Sequence, residues 1–179
     1  MQRAVLVDQD LSEVERLLRA GFNPQTPIGC GTYDAMDGAV DEANPKMVAL
    51  LLRHGARPKE STLPRAAFLI PFDSALKIVT ALLQAGTDVN SKMRYSENPA
   101  WYWTALHNAV WRQNVDLVRL LLAQKDISLN DINGDGYSAL AIAKEKGNST
   151  IADLLLRAGA DPQLVMRRPP LHDDEVASN

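Results

Sequence analysis

Cysteine occurs once in the chain, at Cys30. A single thiol excludes an internal disulfide and any zinc site built from several cysteines. Histidine is almost as scarce. His54, His107 and His172 are the three present, and none has a carboxylate or second histidine at ligand spacing on one helical face. No metal and no cofactor are therefore expected. A surplus of positive charge is missing too: 19 Lys plus Arg stand against 22 Asp plus Glu, a net charge of −3. Split at residue 90, the halves carry 9 basic against 11 acidic and 10 against 11, so neither presents the basic stripe that nucleic acid needs. Long apolar runs are also lacking. No stretch approaches 18 uncharged apolar residues, and charge interrupts Met1–Asp8 before a signal-peptide apolar region can build. The expectation is a soluble, cytoplasmic chain with no nucleic-acid or membrane partner. Its 179 residues make one unit with room for a real core.

What is present is repetition. A Val-like residue followed by two leucines recurs five times: Val14-Leu17-Leu18, Val48-Leu51-Leu52, Val79-Leu82-Leu83, Val118-Leu121-Leu122 and Ala152-Leu155-Leu156. The i, i+3, i+4 spacing puts each trio on one helical face. Gly21, Gly55, Gly86 and Gly159 follow as left-handed helix stops, with Lys125 in that place in the fourth copy. The second leucines lie 34, 31, 39 and 34 residues apart. Before four of the trios comes a short run opening on a capping residue, Asp34, Ser61, Thr104 or Ser138, with a large and a small apolar residue three apart. Each copy reads as turn, short helix, loop, longer helix, glycine stop. Two helices cannot bury their apolar faces alone, so the copies must stack.

With Thr-Ala-Leu-His-Asn-Ala at 104–109 and Leu-Leu-Leu-Arg-Ala-Gly-Ala-Asp-Pro at 154–162, the pattern resembles the ankyrin repeat family. The resemblance implies an all-α solenoid of about five helix-turn-helix repeats joined by hairpin loops, at 1–24, 25–58, 59–90, 91–130 and 131–162, a domain spanning 1–162. The first copy begins inside its inner helix. The third has a truncated hairpin, with Leu69–Asp73 lengthening the link between its helices. The fourth carries extra residues near Arg94–Asn98. Residues 163–179 form a cap, through Leu164, Val165 and Met166, and an acidic tail that is either solvated or docked.

Catalytic and metal motifs fail one by one. Asp131-Ile132-Asn133-Gly134-Asp135-Gly136 imitates the start of a calcium loop, but the position needing a bidentate Glu is Ile142. The run is read as a hairpin turn. Cys30, between two glycines, has no histidine partner for a nucleophile. Gly29 and Gly31 start a dinucleotide fingerprint that Asp34 breaks. His107 is expected to be buried and hydrogen-bonded to backbone. No enzyme is expected.

Aromatics are few, ten in all, yet Tyr95, Trp101, Tyr102, Trp103 and Trp111 share a 17-residue window. Trp111 and Arg112 follow the small residues of an inner helix, and Phe68 and Leu69 hold the same register one copy earlier. The corresponding pairs are Asp41-Glu42 and Glu145-Lys146. By the family resemblance such positions form a concave surface that touches partners, here apolar and aromatic in the middle with charged ends. Trp101, Trp103, Trp111, Arg112, Phe68, Leu69, Tyr95, Tyr102, Tyr33 and Tyr137 are the candidate contacts. The alternative for Trp103 and Tyr102 is packing of the long hairpin onto the third copy. The resulting expectation is a module, monomeric alone, that inhibits, sequesters or recruits another protein. The resemblance suggests an immunity or antagonist protein facing a toxin or host factor. Self-assembly through the same patch is the rival reading, and a small-molecule binder or enzyme the third.

Overall fold

The computed structural model describes residues 10–27, 32–94 and 102–164. Helices α1 (Leu11–Arg19), α2 (Ala35–Asp41), α3 (Pro45–Arg53), α4 (Thr62–Ala67) and α5 (Phe72–Gln84) precede a short hairpin of β1 (Lys92–Arg94) and β2 (Tyr102–Thr104). Helices α6 (Ala105–Trp111), α7 (Val115–Leu122), α8 (Ala139–Glu145) and α9 (Ser149–Arg157) follow. The short inner helices α2, α4, α6 and α8 stack on one another, and the outer helices α1, α3, α5, α7 and α9 form a second layer behind them. The expected all-α solenoid is what forms.

Residue size explains the two layers. Alanines 35, 39, 66, 105, 109, 139 and 143 are buried where inner helices meet, so their axes can approach closely. Met36, Leu63, Leu106 and Leu140 fill the space toward the outer layer, against Val48, Leu51, Ile78, Leu82, Leu117, Leu121, Ile151 and Leu155. In the third and fourth copies the first leucine of the trio is fully buried, and Leu83 and Leu122 are only half-buried.

Caps fix where each helix begins. Asp34, Thr104 and Ser138 accept backbone N–H bonds at the inner starts. Asn44, Asn114 and Asn148 do so at the outer starts. Ser61 is a correction: it sits in helical conformation and makes no side-chain cap. Thr62 Oγ1 accepts the Lys59 N–H there instead. The third-copy link is a second correction. Only Phe68–Pro71 separate α4 from α5, and the extra residues lengthen the helix, 13 residues against 8 or 9 in the other described outer helices. Pro71 is the N-cap, in extended conformation, and a proline disfavours helical conformation in the residue before it, so α5 begins at Phe72. Gly21, Gly55, Gly86 and Gly159 all have positive φ, as expected of stops. Lys125 does not; α7 ends at Leu122, with Ala123 as a C-cap that is not left-handed.

The hairpin arms stand at the starts of the inner helices. β1 and β2 pair antiparallel with Met93 opposite Trp103, and Gly134 N–H donates to Tyr102 O at 3.0 Å, tying the next arm alongside. The Asp131–Gly136 run is a tight turn: Asn133 Oδ1 accepts from the N–H groups of Asp135 and Tyr137, and Ile132 bridges Ser138. The inner helix expected of the first copy, the inserted residues 95–98, Cys30, and Val165 and Met166 lie outside the described residues. Leu164 is described, and its carbonyl accepts the Ser138 hydroxyl at 2.7 Å.

Candidate binding face

The surface of interest runs along the inner helices from the hairpin arms to the opposite ends. Its first organising feature is the residue just before each inner-helix cap. It is aromatic in three copies: Tyr33, Trp103 and Tyr137. In two of them the ring lies along its own helix and reaches the residue eight positions on. Tyr33 donates its hydroxyl to Asp41 Oδ2 at 2.9 Å. Trp103 meets Trp111 edge-to-face, with centroids 5.6 Å apart and planes at 86°. Burial and the Asp41 carboxylate push the Tyr33 phenol up to about 12.

The second feature links neighbouring copies. At the ends of α2, α4 and α6 the last residue or the C-cap is covered by a cation from the following copy. Arg65 Nη1 donates to both Asp41 oxygens at 3.2 Å. Arg112 places its guanidinium 4.8 Å from the Phe68 ring centroid, and Lys146 Nζ stands 3.3 Å from that of Trp111. Phe68 and Trp111 therefore do sit on adjacent layers. Both keep an open side, at 40% and 38% exposure. Past Phe68 in the chain, Ile70 on the four-residue link and Phe72 at the start of α5 are also exposed.

The other candidate residues divide. Trp103 is half-buried, and its indole N–H already donates to Asp135 Oδ2 at 3.1 Å. Tyr102 is half-buried beneath Lys92 Nζ, 4.3 Å from its ring centroid. Leu69 and Tyr137 pack against the core. Tyr95 and Trp101 lie outside the described residues. Sequence reasoning did not single out Ile70 and Phe72, and it placed Lys146 on the rim, not over an indole. The signal for the first two was an apolar run, Phe68-Leu69-Ile70-Pro71-Phe72, longer than one helix face can bury.

Two further charged sites serve the framework. Lys59 Nζ bridges Asp34, Asp37 and the Thr32 carbonyl, with both carboxylates almost fully buried. Burial opposes charge on Lys59, but the bonds to Asp37 and Asp34 prevail and its pKa is raised. His107 contacts Thr104 through Nδ1 and the Asp131 carbonyl through Nε2 at 3.1 Å. Burial holds its pKa down to about 4, so the ring is neutral at pH 7. Among the described residues no group of three or more His, Cys, Asp or Glu could hold a metal ion. None of the described helices is long and apolar enough to cross a membrane.

Stacked two-helix units with capped inner helices and paired hairpin arms define a helical repeat scaffold. The chain belongs to the ankyrin repeat family: the family model for ankyrin repeats (3 copies) matches residues 65–165. It is 31% identical over 175 residues to the nuclear factor NF-kappa-B p105 subunit of Gallus gallus, covering 95% of this chain and 17% of that protein. The Mus musculus p105 subunit is 35% identical over 108 residues, 60% of this chain and 10% of that one. Human ankyrin repeat and MYND domain-containing protein 1 is 29% identical over 202 residues, covering 87% of this chain and 21% of its own. The chain thus spans about a fifth or less of these curated relatives. In three dimensions it is similar to a crystallised ankyrin repeat domain from Acinetobacter baumannii, with TM-score 0.77 and 26% identity over 93% of this chain and 84% of that one. Ankyrin repeats are in general protein–protein interaction modules.

Proposed function

We propose that the chain is a non-enzymatic, monomeric, cytoplasmic module that binds one partner protein on the inner-helix face centred on Trp111, Phe68 and Arg112. The observation that carries this reading is the pair of exposed rings on adjacent layers. Each is steadied by a cation, and Ile70 and Phe72 of the third copy are exposed apolar residues as well. Aromatic and arginine side chains of this kind dominate interface energetics once water is excluded around them. Trp103 supports the face by holding Trp111 from behind, and Leu69 and Tyr137 support it from the core. Occlusion of the partner's own surface, as by an antagonist or immunity protein, is what such a scaffold achieves by binding alone.

The test begins with partners captured by the wild-type chain and compares their affinity for Trp111→Ala by calorimetry. A loss of about 2 kcal/mol or more, roughly thirtyfold, is expected, with the melting temperature of the isolated variant little changed. Equal affinity in a fully folded variant removes Trp111 from the interface. Sedimentation across a concentration range checks the monomer, since self-association would make the partner a second copy.

A further inference from the structure

The cations of this face differ in how they are satisfied. Arg65 is paired with Asp41 and Asp37, and Lys59 with Asp34 and Asp37. Arg112 and Lys146 rest on aromatic rings instead. Among the described residues neither has a carboxylate within salt-bridge distance, and Arg112 Nε is buried with no hydrogen-bond partner. A ring stabilises a cation but accepts no directed hydrogen bond from its edge, so the ion-pairing capacity of both groups is unspent. The charges nearby do not spend it either. Glu145 is exposed beside Lys146, with Lys144 on its other side. Asp135 is engaged by Trp103, and Asp41 by Arg65 and Tyr33. Positive charge is thus concentrated on the aromatic centre of a chain whose net charge is −3.

Resting on the binding face proposed above, we infer the chemistry of its occupant: an extended acidic segment of the partner. Two of its carboxylates, three residues apart, would pair with Arg112 and Lys146, and an apolar side chain between them would cover Phe68 and Trp111. The spacing follows from geometry. Arg112 and Lys146 hold one register on consecutive inner helices, and packed helices lie about 8–10 Å apart. An extended segment of polyproline-II type has three residues per turn and rises about 3.1 Å per residue, so side chains three apart lie on one face about 9 Å from each other. Guanidinium and ammonium groups already ordered by their rings lose little freedom on pairing, which favours binding.

The experiment selects a displayed library of random 12-residue peptides against the full chain and against the Arg112→Gln/Lys146→Gln double variant. Circular dichroism and melting confirm that both baits are folded. The wild type is expected to enrich peptides with Asp or Glu three apart flanking an apolar residue. The double variant should lose the acidic preference. A synthetic winner should bind wild type about tenfold or more tightly than its Gln-for-Glu counterpart, the gap narrowing at high salt. Enriched peptides without acidic bias, or a bias that persists in the double variant, overturn the inference and leave the binding face standing. No enrichment by the wild type over an unrelated bait overturns both. If Arg112→Gln unsettles the fold, Lys146→Gln alone carries the same expectation, with a smaller loss.

Discussion

Single residues show how backbone and protonation are tuned. The three-residue links between inner and outer helices pass through a left-handed residue, Ala43 at φ 48°, Gln113 at 57° and Gly147 at 67°. Only glycine adopts that conformation without cost, the penalty for other residues being roughly 1–2 kcal/mol. Ala43→Gly should therefore stabilise the chain by about 0.5 kcal/mol, net of glycine's unfolded-state entropy. Gly147→Ala should destabilise it by about 1 kcal/mol. A Cβ at Gly147 would meet nothing within 4 Å, so a denaturant melt of that variant reads backbone strain alone. His107 couples stability to pH. Its pKa, held near 4 by burial, is below the unfolded value of about 6.5, so the unfolded chain takes up the proton first. The stabilisation by the neutral ring is complete above pH 6.5 and is lost as pH falls toward 4. It is on the order of 3 kcal/mol. His107→Gln should flatten the pH dependence of stability between 6.5 and 4, measured by urea melts at each pH.

At the scale of elements, the third copy departs most from the pattern, and its departures compensate one another. The sequence shows the missing hairpin but not what replaces it. Lys59, on the truncated arm, reaches back to the buried Asp34–Asp37 capping box of the second copy. Removing that cation leaves two carboxylates with little water and, among the described residues, only the Arg65 cation, 3.8 Å from Asp37, nearby. Lys59→Met should cost about 3–5 kcal/mol, visible as a lowered denaturation midpoint. Part of the loss should be recovered by Asp37→Asn in the same chain, because the second change removes a charge the first has orphaned. The third copy also lacks the aromatic before its cap, having Glu60 where the others have Tyr33, Trp103 and Tyr137. Phe68 then has no ring of its own copy behind it, and Arg112 from the next copy covers it.

Across the whole molecule, stability is shared between neighbours, because the main contacts of each copy among the described residues are with the copies beside it. Leu82 and Leu121 are fully buried between outer helices that have partners on both sides. Leu82→Ala and Leu121→Ala should each cost about 2–5 kcal/mol. Leu18, at 7% exposure in α1, contacts a single neighbouring outer helix and should cost less when cut to alanine. Equal losses at all three sites in denaturant melts would contradict nearest-neighbour stacking.

The sequence by itself determined the repeat, its period, the two helices of each of the last four copies and the four glycine stops, because helical periodicity, caps and glycines act over a few residues. It also placed Phe68 and Trp111 at one register on consecutive layers. Tertiary structure decided what those residues touch. That Lys146 sits on Trp111, Arg112 on Phe68 and Lys59 in a capping box 22 residues away depends on the rotation between stacked copies. No local pattern encodes that rotation. The same cause turned Leu69 and Tyr137 toward the core and left Ile70 and Phe72 exposed. A five-residue apolar run has more faces than one neighbouring helix can cover, and only packing chooses which faces remain open.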